Sequence, residues 1–157
     1  MIKQEILNDF EKNFKKLKKE LNLKTNTEEL DRIFYIKDYV LQEGFASDNL
    51  PRQIGYRIVE IFMRWNEYLH GLIMPNPQNI INISESKILS LEDKKEITEL
   101  IKKGMEIASK NTIIGLKRDS KAEAKFIDDS VNLWESEFKP KLLKIVLKIN
   151  EEWGKTK

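Results

Sequence analysis

The chain has no cysteine and a single histidine, His70, in 157 residues. Without cysteine there is no disulfide, no thiolate metal site and no thiol nucleophile. With one histidine, any serine–histidine–acid arrangement must use His70, and a multi-histidine metal site cannot be built within one chain. The six glycines are scattered, mainly toward expected helix ends, so no glycine-rich phosphate loop can be drawn. EF-hand spacing, zinc signatures and nucleophile elbows are also missing, and neither a metal nor another cofactor is expected. No apolar run approaches the ~20 residues needed to span a bilayer. The first ten residues, MIKQEILNDF, lack the unbroken apolar core of a secretory signal, and a cytoplasmic location is expected.

Net charge is also scarce. A value of +2 is too small by itself to imply a nucleic-acid partner. Its distribution is uneven, because residues 1–24 and 139–157 are lysine-rich and the middle of the chain is acidic. Lys12, Lys15, Lys16 and Lys19 near the start, and Lys141, Lys144 and Lys148 near the end, are therefore candidate phosphate contacts. The alternative is that two terminal helices have lysine-rich solvent faces.

What is abundant is apolar residues at helical spacing. They make up 40 % of the chain against 34 % charged residues, a composition of soluble globular proteins. In the segment from Leu50 to Met74, Ile54, Ile58, Ile61, Trp65, Tyr68 and Leu72 recur every three or four positions, with Phe62, Leu69 and Ile73 alongside. These positions fall within roughly 140° of a helical wheel, wide enough for more than one neighbouring helix to cover. Arg57, Glu60, Arg64 and Glu67 lie opposite, and His70 sits at the border.

Four further helices follow from stripes and punctuation. Leu7, Phe10, Phe14, Leu17 and Leu21 define the first. A second carries Leu30, Ile33, Phe34, Val40 and Leu41; Asn26 with Glu29, or Thr25 with Glu28, opens it and Gly44 ends it. Ser47 or Asp48 is the expected cap of the Leu50 helix, with Pro51 in its first turn. Pro75-Asn76-Pro77 ends that helix. Residues 78–89 are expected as a short helical turn or an extended segment. Ser90 with Asp93 starts a fourth helix, which should reach Ile114 before Gly115. Asp119 or Ser120 opens a fifth, inside whose stripe Pro140 either kinks or splits the helix. The expectation is an all-α, antiparallel up-down bundle of about five helices, with the helix over about 50–74 buried at its centre. Without a linker or repeat, residues 1–157 read as one domain.

One short pattern bears on chemistry. Arg64 and His70, separated by five residues late in a helix, resemble the arginine–histidine motif of the HEPN ribonuclease superfamily. That resemblance implies metal-independent RNA cleavage at a site assembled across a dimer. His70 would exchange a proton with a ribose hydroxyl or leaving oxygen, and Arg64 would hold the phosphate. The resemblance covers these two positions only. On one helix they lie about 120° apart, so a single protomer cannot present them together. The tyrosine that often follows the histidine by two places in toxin-type members is replaced by Leu72. The competing reading is that Arg57, Glu60, Arg64 and Glu67 form an exposed salt-bridged stripe. Glu67-x-x-His70 is also half of the ligand pattern of di-iron carboxylate bundles, whose second histidine does not exist here.

The aromatic residues mostly sit on apolar stripes and read as core. Trp153, beside Lys144 and Lys148 on the last helix, is the exception, suited to docking or to covering a final turn. The leading functional expectation is a non-enzymatic helical interaction or assembly module. It would self-associate or join a larger, possibly RNA-associated complex, with no membrane and no small-molecule cofactor. A HEPN-like ribonuclease is the alternative.

Overall fold

The computed structural model describes residues 2–155, and all regular structure among them is helical. The elements in order are α1 (Ile2–Leu21), α2 (Thr27–Phe34), α3 (Ile36–Glu43), α4 (Leu50–Ile73), α5 (Ile80–Ile88), α6 (Leu91–Lys117) and α7 (Ser120–Leu133). A π-helical turn (Trp134–Phe138) and α8 (Lys139–Gly154) complete the chain. No helix among the described residues is long and apolar enough to cross a membrane.

Most boundaries follow the punctuation. Asn26 and Glu29 form the reciprocal capping box that opens α2. Gly44 closes α3 at a φ of 86°, a left-handed conformation that suits glycine. Ser90 and Asp93 exchange backbone-to-side-chain bonds of 2.9 and 3.1 Å at the start of α6. Asp119 accepts from the amides of Lys121 and Ala122 and so caps α7. At α4 the expected caps shift by a residue: Asn49 precedes the first turn, and the Ser47 hydroxyl accepts from the Asn49 amide instead.

Compact packing divides the chain into two units. The first comprises the chain up to Ile61 together with Ile107–Asn132. Here α1 packs on α3, and Phe10, Phe14, Leu30, Phe34, Ile36, Val40, Ile54, Ile58 and Ile127 are fully or almost fully buried. The segment expected as one second helix is two, α2 and α3, because Tyr35 adopts a left-handed φ of 52°. At that break Arg57 bonds to the end of α2, its Nε donating to the Phe34 oxygen at 2.7 Å. A cation at a helix C-terminus also matches the sign of the helix dipole. Arg57 is therefore buried rather than part of an exposed stripe, with Glu60 at 3.3 Å and the Tyr39 ring at 5.3 Å from its guanidinium. Burial and a hydrogen bond with Glu43 push the Tyr39 phenol up to about 12, so it stays protonated at neutral pH.

The connection between α1 and α2 is tied down by one carboxylate. Asp128 on α7 accepts from the Lys24 amide at 3.1 Å, the Thr25 amide at 2.9 Å and the Thr25 hydroxyl at 2.6 Å. Gly115 does not end α6, which continues to Lys117. The glycine lets the Arg52 guanidinium lie in the space a Cβ would take, so a larger residue would displace that guanidinium.

The second unit comprises Phe62–Glu106 and the chain from Leu133 onward. Its centre is aromatic. Phe62 meets Phe138 edge-on with centroids 5.1 Å apart, and Trp134 stacks on Phe138 at 5.6 Å. Trp65 lies 6.3 Å from Trp134 and 6.0 Å from Tyr68. Asn66, also buried, donates to the Ile101 carbonyl at 3.1 Å and lies against Gly104, where any Cβ would overlap its amide. The stretch left between helix and extended segment is the helix α5, capped by the Asn79 side chain. Its first two residues, Ile80 and Ile81, are exposed despite their apolar character.

Helical conformation runs through Pro140 rather than stopping at it. Proline cannot donate to the carbonyl four residues back, and its ring crowds that carbonyl. The chain answers with a wider turn just before it, in which the Lys139 amide bonds to the Trp134 oxygen, five residues back. Helical conformation then continues through α8.

Asp93 adds a pH-dependent contribution to this unit. Its hydrogen bond from Lys148 holds the carboxyl below its ordinary value of 3.8; burial opposes the shift and bonds from Ser90 assist it. A lowered carboxylate stabilises the fold above the unfolded value, and that contribution is lost as pH falls through the folded one. Asp93→Asn should therefore lose less stability than the wild type between neutral pH and about pH 3, measured by urea unfolding. Equal losses would show that this pair adds nothing to the acid sensitivity.

Candidate functional site

The Arg64–His70 pair lies on α4, which runs without interruption through both positions. Both residues are exposed. Six residues of α-helix separate them by about 9 Å along the axis and about 120° around it. No shared face therefore exists on one protomer, and convergence needs a second copy. Glu67 is exposed as well. Among the described residues no group of three or more histidine and carboxylate side chains is placed to hold a metal ion.

The two lysine sets belong to different units. In the first, Lys12, Lys15, Lys16 and Lys19 are all exposed along α1. In the second, Lys144 pairs with Glu96 at 3.5 Å and Lys148 with Asp93, both partners on α6. Lys141 is half-buried. Two of these three lysines, Lys144 and Lys148, thus have their charge offset by carboxylates of α6, a pairing that no sequence spacing announces.

Helix α8 carries a different kind of feature. Leu142, Ile145 and Ile149 are buried on one side. Leu143 and Leu147, one turn apart, are each 52 % exposed, and Val146 between the two sides is half-buried. At 100° per residue the apolar arc of α8 spans about 200°, from Ile145 round to Leu147, and the fold covers only part of it. Lys144 and Lys148 occupy the remaining side. Trp153 is 55 % exposed, and its indole nitrogen donates to Glu85 at 2.9 Å, which anchors one edge of the ring and leaves the face open.

Sequence reasoning missed one polar cavity altogether. It lies in the first unit, has a volume of about 280 Å³, and is lined by Asn49, Arg52, Gly115, Arg118, Ser120 and Glu123. Glu123 is only 6 % exposed, and its Oε2 has no hydrogen-bond partner. Burial pushes its carboxyl above the usual glutamate range; the Arg52 charge pulls against that shift and Asp119 adds to it. Arg52 is pinned from three directions. Its Nη1 donates to the Asn111 carbonyl at 3.1 Å, its guanidinium lies 4.7 Å from the Tyr56 ring centroid, and it rests against Gly115. A neighbouring cavity of about 430 Å³ shares Asn49 and Ser120 and is bordered by Lys16, Glu20 and Asp48. The residues come from sequence positions more than sixty apart, in segments that read only as helix ends and stripes.

Comparison with protein-family models, with curated proteins and with solved structures finds no match to this chain.

Proposed function

We propose that the chain is a non-enzymatic helical interaction module that assembles with a second copy of itself, with the up-down bundle about α4 as its scaffold. The observation that carries this reading is the apolar arc of α8, which is broader than the fold covers. Fully burying a leucine side chain contributes about 1.5–3 kcal/mol, and Leu143 and Leu147 are already about half buried, so two copies facing each other through them gain roughly 3–6 kcal/mol. Association costs at least about 4 kcal/mol in lost freedom. The two terms nearly balance, so a concentration-dependent dimer of weak affinity draws also on the half-exposed Trp153.

Light scattering over a concentration series should show a mass rising above the monomer at about 100 µM. The double variant Leu143→Glu, Leu147→Glu should stay monomeric with unchanged helical circular dichroism. A wild-type protein that remains monomeric throughout would remove this reading.

The HEPN-like ribonuclease is the second reading, and the exposure of both Arg64 and His70 favours it. A dimer is what it requires, since one protomer cannot bring the pair together. RNA cleavage in the presence of chelator should then disappear in His70→Ala and in Arg64→Ala. Wild-type protein that leaves RNA intact rules it out. Any association with RNA or DNA would rest first on Lys12, Lys15, Lys16 and Lys19. About four phosphate contacts give a log–log salt slope near −3 to −4 on duplex, and no binding in about 50 mM salt would leave these lysines as solvating charges.

A further inference from the structure

The cavity around Glu123 has chemistry that neither assembly nor RNA cleavage uses. A buried carboxylate oxygen without a donor costs on the order of 1–3 kcal/mol or more, because it has left water and gained nothing in return. Folds rarely retain such a group, and those that do invite an explanation. The opposite wall holds a guanidinium in the complementary situation. Arg52 uses one N–H on the Asn111 carbonyl, and the rest of its fork is available to the cavity. No ion pair within 4.0 Å joins it to Glu123 among the described residues; the two charges share the cavity across a gap.

Arg118 makes the balance asymmetric. It is exposed at the mouth, held by a left-handed φ of 52° at the turn between α6 and α7. Two guanidinium groups therefore face one carboxylate, with Asn49 and Ser120 as neutral polar neighbours. Asp119 is already engaged as the cap of α7. A plain dianion would place negative charge against Glu123, and a plain amine would face two cations. An occupant that satisfies both walls carries a cation for Glu123 and an anionic group for the arginines, with net negative charge.

We propose that this cavity binds a small anion bearing one protonated amino group, an acidic amino acid or an amino-phosphate in size and charge. The ammonium donates to the Glu123 Oε2, and the carboxylate or phosphate is held by Arg52 and Arg118. Such bonds between ionised partners are about twice as strong as neutral ones, and the planar fork of Arg52 suits either oxyanion. Tyr56 and Gly115 serve as the supports that hold the Arg52 plane in place. This inference uses neither α8 nor the Arg64–His70 part of α4, and it stands whether or not the chain assembles.

The test titrates the full chain with L-aspartate and O-phosphoethanolamine, using succinate and ethanolamine as matched probes lacking the amine or the anion. Binding is read by calorimetry and by the amide resonances of Gly115, Ser120 and Glu123. At least one of the first two probes should bind about tenfold more tightly than succinate and move those resonances. A preference for phosphoethanolamine assigns the phosphate form, and a preference for aspartate the carboxylate form. Glu123→Gln, which keeps the shape and removes the charge, should reduce affinity to the level of succinate. Arg118→Ala, at an exposed position that does not threaten folding, should weaken binding about tenfold. The proposal is overturned if none of the probes moves these amides at about 20 mM. It is also overturned if succinate binds as well as aspartate, or if Arg118→Ala leaves the affinity unchanged.

Discussion

Replacing Phe62 with alanine should destabilise the protein by about 3–5 kcal/mol, the largest effect expected of any single substitution discussed. The side chain is fully buried, and its ring meets Phe138 at 5.1 Å and Trp134 at 6.1 Å, both edge-on. Deleting it removes the transfer term of a whole aromatic ring and opens a cavity among neighbours that cannot collapse. The wall beyond it is the π-helical turn, whose position Pro140 constrains, so the backbone there has little room to follow. The edge-to-face pairs add about 0.5–1.5 kcal/mol each beyond area. Urea unfolding followed by circular dichroism checks the total, and tryptophan emission reports locally because Trp134 loses a contact. A loss below about 1.5 kcal/mol would mean that this cluster does not anchor the second unit. Phe62→Leu should recover most of the loss, since the cavity is largely refilled.

Arg57→Ala is the second large effect, about 3 kcal/mol, and its cause is polar. Alanine removes the buried hydrogen bond to the Phe34 carbonyl, at the point where Tyr35 has already broken the helix. It also removes a cation from the negative end of α2 and the guanidinium beside the Tyr39 ring. An exposed arginine in a salt-bridged stripe would cost well under 1 kcal/mol, so the two views of this residue differ by a measurable factor. Arg57→Lys should be intermediate, because an ammonium can reach the carbonyl but cannot also lie flat against the tyrosine. A loss near zero in Arg57→Ala would show that the Phe34 carbonyl finds water instead. Hydrogen exchange at the ends of α2 and α3 gives a second readout, since local opening there should quicken in the variant.

The residues behind these two effects were legible to different degrees. Phe62 sits on the apolar arc of α4 by its spacing alone, and its burial follows from that. Arg57 lies on the side of the wheel where charge is expected, and its neighbours Glu60 and Arg64 complete an apparent stripe. Its true role depends on a carbonyl 23 residues away, beside a left-handed tyrosine that no propensity marks. The same holds for Gly115. A glycine at the end of an apolar stripe reads as a helix end, yet here it makes room for the Arg52 guanidinium inside a continuing helix. Pro140 was visible as a disturbance, and the structure answers it with a π-helical turn.

The candidate sites divide in the same way. Arg64 and His70 were found as a spacing, and the fold leaves both exposed on one helix, about 120° apart. The lysines of α8 were found as a charge run, and Glu96 and Asp93 on α6 then offset two of them. The Glu123 cavity left no mark in the sequence at all. A lone glutamate in the first turn of a helix looks like favourable charge near a positive dipole end, and that is its ordinary reading.

Local rules were enough for the all-helical class, because apolar period, capping residues and prolines act within a few residues of one another. They placed the caps of α2, α6 and α7. Tertiary structure decided whatever depends on which atoms are left without partners once those helices pack. A carbonyl at a helix break meets Arg57, a missing Cβ admits Arg52, and a carboxylate oxygen at Glu123 is closed off from water. Burial raises the energy of an unpaired polar group by several-fold over its value in water, and only the packed chain determines which groups are buried.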